Sequence, residues 1–295
     1  MAAAIGAQVL WGIFPAFIKL FKGIVEPVDL VAHRAVWSFA FLILLLLATS
    51  KSESDKSQTN LRQRLFGNAS SIRKAMFATV FIAINWLVFV WSVSAGHALD
   101  ASLGYYICPQ FVVLLGVVFL GERLSKVQWI AIAIAAVGVI IMTGSNEGKV
   151  WIGLLIAAAF AIYALIKKKT TLSAVEGLTL ETGFMLIPAI LFLVWRSNLD
   201  GIVAFPDSTS SWLLLISAGP MTVAPLFLYA FAVKHISLST AGLLQFIGPT
   251  IQFCLGVFAF AEPVDSTRLI GFVCVWTGVS IYLYALSKRS PANAK

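Results

Sequence analysis

Apolar and polar positions along the chain separate into long blocks. Nearly continuous apolar runs cover residues 2–20, 31–48, 75–95, 101–120 and 127–143, and a second set covers 150–166, 178–195, 212–233, 240–261 and 269–286. A helix needs about 20 apolar residues to cross the hydrocarbon of a bilayer. The runs are unbroken instead of alternating, which argues against the strands of a membrane barrel. They predict ten transmembrane helices in an all-α integral membrane protein. Only residues 49–74 and 196–211 form connections longer than a simple turn, so one membrane domain, 1–295, with no water-soluble module is expected.

Composition sharpens this picture. Hydrophobic residues make up 60% of the chain and charged residues 12%, against roughly 45–50% and about 25% in soluble domains. Too few polar residues remain to clothe a water-facing surface, and the lipid bilayer must serve as part of the solvent. The net charge of +8 does not point to nucleic acid, because the charges fall in short segments between apolar runs. Lys and Arg in those segments set the orientation. With the N-terminus inside, the inner segments hold 15 of them and the outer segments 5, with Arg34 within a span. Both termini are therefore expected to be cytoplasmic, in a multi-pass protein of the cytoplasmic (inner) cell membrane. The Asn68-Ala69-Ser70 sequon then lies inside and stays unglycosylated. Leu61, Leu65 and Phe66, set among arginines, suit either a short interfacial helix or a polar linker. Cys108, Cys254 and Cys274 sit inside apolar runs and read as small buried hydrophobes. Met1 leads directly into the first run, without the charged start and cleavage site of a signal peptide.

The two halves are related. With a shift of 140, residues 101–141 overlay residues 241–281 without a gap, and 12 of the 41 positions are identical, among them Pro109/Pro249, Gly116/Gly256, Glu122/Glu262 and Gly138/Gly278. A second, weaker overlay with a shift of 148 pairs Lys19 with Lys167, Leu30 with Leu178 and His33 with Glu181. The predicted repeats run from about 1 to 144 and from about 149 to 287. Five helices per half is an odd number, so the second half must enter the membrane upside down. Inverted repeats are the usual architecture of secondary transporters, because two similar halves can exchange conformations at comparable energy around a site between them.

The chain resembles the drug/metabolite transporter superfamily with two EamA-type repeats, and within it the RarD group of permeases. The resemblance spans nearly the whole chain. It rests on Trp11-Gly12-Ile13-Phe14-Pro15 with Lys19, His33-Arg34-Ala35-Val36-Trp37-Ser38, Asn85-Trp86, Ala101-Ser102-Leu103-Gly104-Tyr105 and Gly121-Glu122-Arg123 with Gln128-Trp129. In the second half it rests on Glu181-Thr182 and Gln245-Phe246-Ile247-Gly248-Pro249-Thr250 with Glu262. It implies a permease of the cytoplasmic membrane, an exporter of small amphiphilic drugs or metabolites, with a link to chloramphenicol sensitivity. The sequence departs from the pattern in two places. The polar residues that often precede the first helix are missing, and Ala261-Glu262-Pro263 stands where the first repeat has Gly121-Glu122-Arg123.

Polar residues within spans are the candidates for chemistry. A substrate site between the halves is expected from Trp11, Asn85, Trp86, Tyr105, Gln245 and Phe246. Aromatic walls with a few fixed amides suit a small, partly apolar molecule. Asn85 at mid-span serves either as a ligand or as interhelical glue. Pro109 and Pro249 each remove a backbone donor, and a freed carbonyl either lines a cavity or marks an ordinary kink. His33, Arg34 and Glu181 are candidate gate or coupling residues. The bland alternatives are a capped helix end, with Asp29 four residues before His33, and a Glu181 carboxylate satisfied by Lys167–Lys169. Glu122 and Glu262 read as structural, and Trp91, Trp129 and Trp276 as interface or packing residues. No phosphate-cradling Gly-Lys-Ser/Thr loop is present, and His33, His97 and His235 are too dispersed to suggest a metal site. No cofactor or metal is therefore expected, and a proton gradient or the substrate's own gradient is the expected driver. The expected state is a monomer or homodimer, and the chain is read as a non-enzyme. An intramembrane enzyme and a structural or sensory membrane protein are the rival classes.

Overall fold

The computed structural model describes residues 1–50, 65–95, 97–144, 149–199, 204–259 and 266–288. Among these it contains ten helices long and apolar enough to cross a membrane: α1 (Ala2–Lys19), α2 (Pro27–Ser50), α3 (Ala69–Ser94), α4 (Ala98–Leu120), α5 (Lys126–Gly144), α6 (Val150–Lys169), α7 (Ala174–Ser197), α8 (Thr209–His235), α9 (Leu238–Ala259) and α10 (Ser266–Ser287). The predicted interfacial segment lies largely outside the described residues, as does Glu262.

Several helices begin a turn or more before their apolar runs. Their first turns carry polar residues that remain near the membrane surface, where a hydropathy pattern does not register them. α2 starts at Pro27 with Asp29 in its first turn. Pro is well suited to that end of a helix because its missing N–H would be unpaired there anyway. The α3 entry is capped by Asn68, whose side chain accepts from the Ser70 N–H at 2.9 Å. α7 opens with a reciprocal capping box between Ser173 and Glu176, which satisfies two otherwise orphaned backbone donors. Gly121 terminates α4 with a left-handed φ of 64°.

The packing repeats with the helices. α4 lies on α6 as α9 lies on α1; α2 lies on α8 as α7 lies on α3; α3 lies on α6 as α8 lies on α1. α2 and α7 pair with each other, and so do α5 and α10. Adding five to the helix numbers of the first half and subtracting five from those of the second converts each of the first three packings into its partner and returns the last two to themselves, as a two-fold relation between inverted halves requires. The relation extends to single atoms. A Cβ on Gly138 would lie 2.5 Å from the Gly271 carbonyl oxygen, and one on Gly278 would lie 2.5 Å from the Ala131 carbonyl oxygen. The 140-residue shift turns one contact into the other. Such small residues let membrane helices approach closely enough for backbone packing where lipid provides no hydrophobic drive.

α9 departs from the simple prediction of one continuous α-helix. It is α-helical over Leu238–Leu244 and Ile247–Cys254, with a break between, and ends in a π-helical turn at Leu255–Ala259. Pro249 cannot donate to the Gln245 carbonyl, which instead accepts from the Gly248 N–H at 3.3 Å. The tightened turn sets Gln245 and Phe246 at the break, while α4 continues through Pro109.

Candidate functional site

The helices run antiparallel, so the membrane protein has one side where α1 starts (the N-side) and a far side where α1 ends. A cavity of about 430 Å³ lies between the halves, lined by α1, α2, α3, α4, α6, α8 and α9. Its lining reaches Ile18 and Pro27 at the far-side ends of α1 and α2, and stops near mid-helix on the N-side, at Gln8, Cys108 and Phe160. The cavity therefore occupies the far-side half of the protein.

Its inner floor is an aromatic and amide cluster. The Trp11 ring contacts Phe160 at 5.7 Å and Tyr229 at 5.5 Å between centroids. The Gln245 amide donates to the Tyr229 hydroxyl at 2.7 Å, and its carbonyl faces the Cys108 thiol at 3.4 Å. Gln252 donates to the Trp11 backbone carbonyl at 3.1 Å, tying α9 to α1. Asn85 donates to the Ile156 carbonyl at 2.9 Å and lines the cavity at the same time. Its amide thus links α3 to α6 while contributing to the wall. Arg34 reaches in from α2. Its Nε–H donates to Thr222 Oγ1 at 2.9 Å, and its guanidinium carbon lies 4.8 Å from the Phe14 ring centroid and 4.6 Å from that of Trp86.

Of the residues expected at a substrate site, Trp11, Asn85, Trp86, Tyr105 and Gln245 line this cavity together. Phe246 does not. It is buried in a separate cluster with Ala135, Val139 and Phe272, because the break in α9 turns consecutive side chains to different neighbours. The three gate or coupling candidates part company. Arg34 lines the cavity, about 10 Å along α2 from Pro27 at 1.5 Å per residue, deeper than its place in the apolar run suggested. His33 points the other way, with Nε2 2.8 Å from the Ala204 carbonyl oxygen and the Phe205 and Trp212 rings beside it. Asp29 is held by Arg196 through two hydrogen bonds, at 2.8 and 2.9 Å. Glu181 is buried away from the cavity, bonded to Lys167 Nζ at 2.7 Å and to the Tyr163 hydroxyl at 3.2 Å. Gln8, Phe160, Thr222 and Gln252 also line the cavity without having been singled out from the sequence, and Phe14, named there only within a motif, joins them. Gln8 and Gln252 carried a usable signal, an amide inside an apolar run. Phe160 and Thr222 carried none.

The N-side is closed by contacts between and within the halves. Glu122, at the end of α4, accepts from the backbone N–H groups of Leu238 and Ser239 and from the Ser239 hydroxyl. It thereby binds the N-terminus of α9, where a helix presents unpaired donors and positive potential. Lys168 donates to the Ile236 carbonyl at 2.7 Å, and Lys234 to the Leu172 carbonyl. Deeper in, α4 and α9 are in close contact: a Cβ on Gly242 would lie 2.9 Å from the Pro109 carbonyl oxygen. The 140-residue shift maps this pair onto Ser102 and Pro249, and both of those line the open cavity. Equivalent parts of the two halves are in contact on the N-side and line the cavity on the far side. Among the described residues, no group of three or more His, Cys, Asp or Glu side chains could hold a metal ion.

Ten helices in two inverted halves around a central cavity define a polytopic membrane protein of the transporter type. The sequence pattern described as the EamA-like transporter family matches residues 1–144 and again 148–284, and the chain belongs to that family. It is 37% identical over 286 residues to the "Uncharacterized transporter YojE" of Bacillus subtilis, covering 97% of this chain and 93% of the relative. It is 34% identical to "Protein RarD" of Escherichia coli, covering 95% and 92%. It is 28% identical to the "Chloramphenicol-sensitive protein RarD" of Pseudomonas aeruginosa, covering 94% and 90%. A crystal structure of a protein of 18% sequence identity superposes over 98% of each chain with a TM-score of 0.71, a likeness of fold.

Proposed function

We propose that this protein is a secondary permease that moves small amphiphilic metabolites or drugs by alternating access. One observation carries the reading: in a fold whose halves are related by symmetry, the described cavity lies in the far-side half alone, its lining reaching the far-side ends of α1 and α2 while α4 and α9 are in contact on the N-side. Exchanging the conformations of the halves would close Ser102 on Pro249, release Gly242 from Pro109, and present the same central site to the N-side. The Lys and Arg distribution makes the N-side the cytoplasm, with both termini inside and the protein in the inner membrane. The described state is then outward-facing, and a cycle that loads from the cytoplasm and releases here is export. Trp11, Asn85, Trp86, Tyr105 and Gln245 form the substrate site, and Arg34 governs its outer wall. Repeat one covers about 1–144 and repeat two about 149–287.

Purified protein in liposomes tests the proposal through counterflow of a radiolabelled panel of amphiphilic compounds, with chloramphenicol included because of the name one relative carries. Saturable exchange above that of protein-free liposomes is the expected result. Folded protein that exchanges nothing across the panel would refute the permease reading and favour a sensory or structural role.

A further inference from the structure

Among the described residues, Arg34 places a positive charge in the cavity wall with no carboxylate paired to it. Among the described residues lining the cavity it is the only formally charged side chain. Carboxylates among the described residues are engaged elsewhere: Glu26 and Asp29 by Arg196, and Glu181 by Lys167. His33, the adjacent residue, is directed to the Ala204 carbonyl instead of the cavity. A cation held within a membrane protein is costly unless it meets a counter-charge. Thr222 takes one N–H of the guanidinium, and Phe14 and Trp86 contact the cation through their rings. A guanidinium has five N–H donors in one plane. Ring contacts do not use those donors, and a planar oxyanion matches them in a bidentate fork.

From this we infer that the cavity is selective for organic acids with an apolar body, their carboxylate paired with Arg34 and their body lodged against Trp11, Trp86 and Phe160. The inference rests on the permease reading and narrows its substrate class. The described walls of the cavity are otherwise neutral, so a cationic amphiphile of the same size meets a repulsive charge with no acid among these residues to offset it. An amide analogue keeps the apolar contacts and loses the ion pair. Thr222 acts as a positioning residue, holding the Nε edge so that the remaining N–H groups face the cavity.

The test uses full-length protein in detergent and measures binding by thermal shift. The probes are matched sets of acid, primary amide and amine built on phenylpropyl, indolylethyl, cyclohexylpropyl and octyl bodies. A hydrogen-bonded ion pair contributes about 1.5–3 kcal/mol, so at least one acid should bind roughly tenfold or more tighter than its amide, and the amines weakest. Arg34→Gln should bring the acid-to-amide ratio to near one while leaving amide binding in place, and Arg34→Lys should retain part of the preference. Thr222→Val should reduce the ratio without abolishing it. If Arg34→Gln fails to fold, the wild-type ratios and Arg34→Lys still decide. The inference is overturned if no acid outbinds its amide, if the preference survives Arg34→Gln, or if chloride alone gives the full stabilisation and the acids do not displace it. Flux of the same compounds in liposomes separates the two proposals. Acids bound but never moved would sink the permease reading and keep the anion site; neutral compounds moved without preference for acids would do the reverse.

Discussion

A methyl group added at Gly242 should shift the protein between its two access states. In the described state a Cβ there would lie 2.9 Å from the Pro109 carbonyl oxygen and 3.1 Å from Val112 Cγ1, closer than the 3.5–4.0 Å at which carbon contacts are favourable. The nearest atom is backbone, which cannot swing away. Overpacking of this kind costs about 1–3 kcal/mol. The gain in helix propensity from Gly to Ala is common to both states and cancels. If the Pro109–Gly242 contact exists only while the N-side is closed, Gly242→Ala lowers the ratio of far-side-open to N-side-open protein by about 5- to 150-fold. Two reporters read the shift in a background without the three native cysteines. Ser102→Cys, in the open cavity, should react more slowly with an impermeant maleimide applied from the far side. Thr240→Cys, buried near the closed N-side end of α9, should react faster from the N-side. The equivalent position in the first repeat is Ser102, which already carries a side chain and has the space to do so. Unchanged rates at both reporters in folded Gly242→Ala protein would refute the claim that this contact belongs to one state, even if the thermal midpoint falls.

Asn85→Leu removes the cavity amide and its bond to the Ile156 carbonyl, so flux should be lost for a stability cost of about 1 kcal/mol; Trp129→Leu, on an exposed position of α5, should leave flux intact. Normal transport by Asn85→Leu would take that residue out of the site, and an unfolded variant would make it glue. Lys167→Met should destabilise the protein by roughly 3–5 kcal/mol, because it leaves the Glu181 carboxylate buried and unpaired, whereas Lys167→Met with Glu181→Met should regain most of the loss; equal losses in denaturant unfolding would contradict this. A reporter fused to the C-terminus should be active only in its cytoplasmic form, and a robust periplasmic signal would reverse the assigned orientation.

Elements and topology were legible in the sequence because the bilayer imposes them locally. A span must be about 20 apolar residues long whatever it packs against, so ten runs became ten helices. Their odd number per half, with the shared Pro and Gly positions, carried the inverted architecture. Helix starts were misjudged by several residues at α2 and α3, since polar first turns near the membrane surface leave no hydropathic trace. The site was legible only as a set of residue types. A mid-span Asn or a Gln before Pro signals that a polar group needs a partner, but not which one. Adjacent residues show the limit most clearly. His33 and Arg34 share one motif, yet the 100° rotation per residue of an α-helix sends one to the Ala204 carbonyl and the other into the cavity. Gln245 and Phe246 are parted in the same way at the break in α9. The pairing of Glu181 with Lys167, 14 residues away on the preceding helix, was one of two readings the sequence offered, but that Asp29 belongs to Arg196, and that Arg34 has no carboxylate partner among the described residues, are facts of distances between helices far apart in the chain. Only the tertiary structure sets those distances, because charge pairing in a membrane is decided by which helix faces which.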